Sequence, residues 1–96
     1  MDLEAQVAVA VADLAERTGI APESIETLEA RHVTWPDSSI GCPLPELMYM
    51  QVLTPGTLIR LRAAGVEYRY HARTGGGPLF CPAARATGPV PGAVER

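Results

Sequence analysis

The dipeptide Ala64-Gly65 separates two runs in which apolar and polar residues alternate, Thr57–Arg62 and Val66–Arg73. A two-residue loop there pairs Ala63 with Val66, so Leu61 faces Tyr68 and Ile59 faces Tyr70. Side chains alternate between the faces of a strand, so these four share one side. Arg60, Arg62, Glu67, Arg69 and His71 share the other, with Arg62 opposite Glu67. A slip of one residue turns the charged set inward, which specifies the register.

Pro55-Gly56 extends the pattern. A loop at this dipeptide pairs Val52 with Ile59 and Met50 with Leu61 across a third run, Leu47–Leu53. Met48, Met50 and Val52 then join the apolar face, and Tyr49 and Gln51 the polar one. Pro-Gly favours a type II turn, which suits a tight hairpin poorly, but a wider loop of equal parity preserves both faces. Thr27–Trp35 also alternates and reads as a strand that Trp35-Pro36 ends. Leu79–Cys81 reads as a short final strand.

The first 18 residues follow a different period. Leu3, Val7, Val11 and Leu14 form one helical stripe, five alanines add propensity, and Asp2 and Gly19 suit the two ends. Pro22 opens a short helical turn. The expected fold is α+β, with an N-terminal helix packed on a four- to five-stranded antiparallel sheet. Ninety-six residues hold one core. Residues 1–82 are therefore read as a single domain, and residues 83–96, which have little to bury, as a mobile C-terminal tail.

With 47% hydrophobic and 20% charged residues, the composition is that of a globular chain. No apolar run reaches membrane-span length, so no membrane association is expected. Lysine and asparagine are absent, which excludes a Schiff-base lysine, a phosphate-loop lysine and an N-glycosylation acceptor. Residues 1–46 carry nine acids and two arginines, and residues 47–96 two acids and six arginines. An acidic half beside a basic half complements itself, and nucleic acid is disfavoured because the net charge is −3. The acidic start, Met1-Asp2-Leu3-Glu4, is not a signal peptide, so a cytoplasmic location is expected unless a leader has been removed.

Cys42 and Cys81 each precede a proline. They form a disulfide candidate whose loop of about 40 residues is worth ~4 kcal/mol. Joined by His71 and His32 they offer four metal donors, but no two lie at the close spacing of zinc ligands. Catalysis would need Cys42 as nucleophile, His71 as base and Asp37 as orienting carboxylate, and nothing local ties these together. Gly75-Gly76-Gly77 lacks the helix and lysine of a phosphate cradle. No cofactor is expected, and no catalytic residue is assigned.

Residues 35–46 contain the densest turn chemistry, with three prolines and a glycine between Trp35 and Glu46. This segment reads either as a crossover loop or as a rigid recognition loop. The expected binding set is Trp35 and Asp37 on the loop with Tyr49, Arg60, Arg62, Arg69 and His71 on the polar sheet face. That set fits a protein-binding or inhibitory module with a protein partner, an acidic ligand or a second copy. The alternative is a small thiol- or metal-dependent protein that uses Cys42, His71 and Cys81.

The runs Val33-Thr34-Trp35-Pro36-Asp37-Ser38-Ser39-Ile40-Gly41-Cys42-Pro43, Gln51-Val52-Leu53-Thr54-Pro55-Gly56, Tyr68-Arg69-Tyr70-His71 and Phe80-Cys81-Pro82 together resemble a small uncharacterised family of bacterial domains. The resemblance spans roughly residues 10–82, beginning at the helix motif Asp13-Leu14-Ala15, and implies no activity. Glu46 and Thr57 depart from the pattern, where a glycine and an aromatic are usual. At the level of fold alone the chain is similar to cystatin-type inhibitors, which wrap a sheet around a helix and use a Gln-Val…Gly hairpin. Their motif spacing is not met, and a second Pro-Trp hairpin is missing.

Overall fold

Helix α1 (Leu3–Thr18) begins where Asp2 Oδ1 accepts the Ala5 amide at 2.8 Å. It ends where Gly19, at φ 74°, turns its amide back to Ala15 O. The computed structural model describes residues 1–91. A 3-10 turn at Pro22–Ser24 leads from the helix into β1 (Glu26–Trp35). Strands β2 (Thr54–Ala63), β3 (Val66–Arg73) and β4 (Leu79–Cys81) complete an antiparallel sheet of order β1-β2-β3-β4. The fold is α+β, with α1 packed on a four-stranded antiparallel sheet.

The Ala64-Gly65 hairpin forms in the expected register: Ala63 pairs with Val66, Leu61 with Tyr68 and Ile59 with Tyr70. Ala64 at φ 51° and Gly65 at φ 78° give the two positive φ angles of a type I′ turn. Ile59, Leu61, Ala63 and Tyr70 meet Ala10 and Leu14 of the helix in the main core. The helix is rotated slightly from the stripe read in the sequence. Its buried residues are Gln6, Ala10 and Leu14, while Val7 and Val11 flank them. Buried Gln6 joins helix and sheet: its Oε1 accepts from Thr57 Oγ1 at 2.8 Å, and its Nε2 donates to Gly76 O at 2.8 Å.

The Pro55-Gly56 hairpin does not exist. Both residues lie inside β2, where Pro55 pairs with Thr34 and Gly56 with Val33. β1 takes the place expected for Leu47–Leu53, with Ala30 rather than Val52 opposite Ile59. The glycine serves packing instead of turning. A Cβ at Gly56 would meet the carbonyl oxygen of Ala72 and lie 2.6 Å from Trp35 Nε1. Leu47–Leu53 is irregular, and Met48, Met50 and Val52 are exposed rather than in the core. The Gln-Val…Gly hairpin of the cystatin comparison is absent for the same reason.

A second core occupies the opposite sheet face, formed by Val33, Trp35, Ile40 and Leu58. Its cover is the 36–53 connection between β1 and β2. Beyond β4, the Thr87 amide donates to Gly41 O at 2.9 Å and the Val90 amide to Thr34 O at 2.8 Å. Residues 92–96 of the expected tail lie outside the described residues.

Candidate functional site

The 36–53 connection folds over the end of the sheet where Trp35, Gly56 and His71 meet. Asp37 shapes its first turn: Oδ1 accepts from the Ser39 amide at 2.9 Å and from Ser39 Oγ at 2.6 Å. These bonds hold the Asp37 carboxyl below its ordinary range. The next two residues have positive φ, 51° at Ile40 and 74° at Gly41. For a β-branched residue such as Ile40 this backbone costs on the order of 1–3 kcal/mol, which burial of its side chain in the second core offsets.

The Ile40 carbonyl accepts a 2.8 Å bond from His71 Nδ1, which therefore carries the ring proton. His71 stacks on Trp35 at 4.3 Å between centroids, and the indole Nε1 donates to Ala72 O at 3.0 Å. Burial and the Arg69 charge push the histidine down to about 4, against the weaker opposing effect of the Ile40 bond. The imidazole is therefore neutral at pH 7. Its Nε2 is buried without a hydrogen-bond partner among the described residues.

A Cys42–Cys81 disulfide staples the connection to β4, with 5.9 Å between Cα atoms. Further along, the connection doubles back on itself. The Ser38 amide donates to Met50 O at 3.0 Å, and the Met50 amide donates to Ser38 Oγ at 2.9 Å. The Tyr49 hydroxyl accepts the Leu44 amide at 3.0 Å, and Arg73 Nη2 donates to Ser38 O. The backbone is thus bonded to itself and to the sheet, while Leu44, Leu47, Met48, Met50, Val52 and Leu53 are exposed. Met48 is 97% exposed and Met50 71%.

Six of the seven residues expected to bind fall into three groups. Trp35 and His71 are fully buried, so neither reaches the surface. The polar-face position of His71 was legible, but the cover that buries it comes from far away in sequence. Arg60 and Arg62 lie at the other end of the face and are occupied by acids. Arg60 bonds Glu29 at 2.7 Å and Glu67 at 3.0 Å, and Arg62 bonds Glu26 at 3.1 Å. Two of these acids come from β1, the strand that displaced Leu47–Leu53. Asp37 is spent on its own turn, and half-buried Tyr49 is tied to the connection.

Arg69 has no ion pair among the described residues, and its Nε is buried without a partner. Arg73 and Arg85, which the expected set omitted, line a cleft of about 430 Å³ beside β4 together with Tyr49, Leu44 and Phe80. What remains exposed is a cationic and aromatic surface bordered by apolar side chains. Among the described residues, no group of three or more His, Cys, Asp or Glu is placed to hold a metal ion, and no helix is long and apolar enough to cross a membrane.

Residues 7–81 match the family model described as Domain of unknown function (DUF8738). The chain belongs to this family. No curated protein and no solved structure matches it. The DUF8738 span runs from within α1 to Cys81. It therefore takes in Trp35, His71, both cysteines and the whole 36–53 connection.

Proposed function

We propose that this DUF8738 domain is a non-catalytic protein-binding module, and that it recognises its partner with the 36–53 connection and the cationic cleft beside it. The observation that carries this reading is the run of six exposed large apolar side chains between Leu44 and Leu53 on a backbone that is hydrogen-bonded and disulfide-stapled. Scattered exposed apolar residues are ordinary, but a contiguous group on an ordered loop is characteristic of an interaction site. Methionines adapt to varied partner surfaces, and a prefixed backbone lowers the entropy lost on binding. Both cysteines are engaged with each other, so the domain in this state offers no thiol chemistry. The reading includes an oxidising compartment, where such a bridge persists.

Photocrosslinking in the native host tests it. A benzophenone amino acid at position 48 is expected to give one discrete adduct, lost when Met50 and Leu53 are both changed to serine. The same probe at Ala64, on the far hairpin, should give none. Equal labelling from both positions, or none from position 48, would contradict the proposal.

A further inference from the structure

The cleft beside β4 has the chemistry of an anion site. Among the described residues, Arg17, Arg73 and Arg85 line it, and no Asp or Glu does. Arg17 is committed, since it bonds Asp13 at 2.6 Å and lies 4.6 Å from the centre of the Phe80 ring. Arg73 is exposed, and among the described residues its side chain bonds only the Ser38 carbonyl. Arg85 is half-buried and has no side-chain partner among the described residues. Arg73 and Arg85 therefore line the cleft with no ion pair among the described residues. Ser38 and Ser39 add hydroxyl groups, and the other lining residues, including Leu44, Tyr49, Leu79 and Phe80, are largely apolar or aromatic. β4 is also the last strand of the sheet, so among the described residues no strand pairs with its outer edge, and its Leu79 and Phe80 line the cleft.

We infer that the cleft takes an extended acidic peptide segment of the partner, laid along the outer edge of β4. Its carboxylates, on the side of the connection, meet Arg73 and Arg85, its alternate apolar side chains meet Phe80 on the α1 side, and its backbone pairs with β4. Arginine binds carboxylates through two parallel N–H donors, and strand addition places every second side chain on one face. A free inorganic anion would use the guanidinium groups but leave the apolar lining and the strand edge open. This inference rests on the protein-binding reading and supplies the ligand class.

The test uses the full oxidised chain and fluorescein-labelled octapeptides. One alternates glutamate with valine, a second alternates lysine with valine, and a third alternates glutamate with serine. The glutamate-valine peptide is expected to bind saturably and to weaken as salt rises. Changing Arg73 and Arg85 together to glutamine should weaken it by about tenfold or more. The lysine-valine peptide should not bind, and the glutamate-serine peptide should bind less well. Amide shifts on binding should centre on Leu79–Cys81. Binding that ignores the arginine changes, shifts confined to other strands, or equal competition by inorganic phosphate would overturn the inference. So would binding that emerges only after residues 92–96 are deleted, or a concentration-dependent dimer that competes with the peptide. Those two results assign the cleft to the chain's own terminus or to a second copy. If the peptide fails while position 48 still crosslinks, the cleft assignment falls and the protein-binding reading stands. If both fail, both fall.

Discussion

At the residue scale, Trp35 organises the second core. His71 stacks on its ring, and the two glycines Gly41 and Gly56 leave space that a side chain would fill. A Cβ at Gly56 would strike the backbone carbonyl of Ala72, which no rotamer change relieves. Gly56→Ala should therefore cost about 3 kcal/mol in chemical denaturation, as an overpacked site does. His71 adds a pH dependence. Its proton affinity falls from an ordinary 6.5 to about 4 on folding, so the unfolded chain binds the proton more tightly. The contribution of this site to stability is complete above pH 6.5 and is lost as pH falls towards 4, with a slope approaching ~1.4 kcal/mol per pH unit. His71→Phe keeps an aromatic ring against Trp35 and should flatten that part of the stability profile. An unchanged profile would mean that other groups produce it.

At the scale of elements, the Ala64-Gly65 hairpin was legible because its period and its turn agree. Thr27–Trp35, Leu79–Cys81 and the helix limits were legible for similar local reasons. The 47–53 run was misread because exposed Met48, Met50 and Val52 alternate with polar residues as a half-buried strand does. Alternation reports faces, not what covers them. Gly56 misled in another way, since a glycine that makes room for an indole looks like one that makes a turn. Arg73 and Arg85 were missed because each reaches the cleft from a different element, which no local spacing records. Leu61→Ala should cost ~2–4 kcal/mol, since Leu61 lies in the main core. Arg60→Ala should cost under about 1 kcal/mol, because its pairs with Glu29 and Glu67 are partly solvated. Equal losses in a denaturant titration would contradict the assignment of faces.

At the scale of the whole molecule, the sheet is covered twice. α1 covers one face and is held by a continuous apolar core. The 36–53 connection covers the other through a smaller core, a buried imidazole, a few backbone bonds and the Cys42–Cys81 bridge. A bridge closing a loop of this length contributes ~4 kcal/mol in the chain-entropy model, a large share of the stability of a small domain. The proposed binding by a preformed connection depends on that staple. Hydrogen exchange on the oxidised and reduced chain, compared amide by amide under native conditions, tests this dependence most directly. Reduction should strip protection from Ser38 and Met50, which bond each other across the connection, while amides of β2 and β3 opposite α1 keep theirs. Unchanged protection at Ser38 and Met50 after reduction would contradict the account.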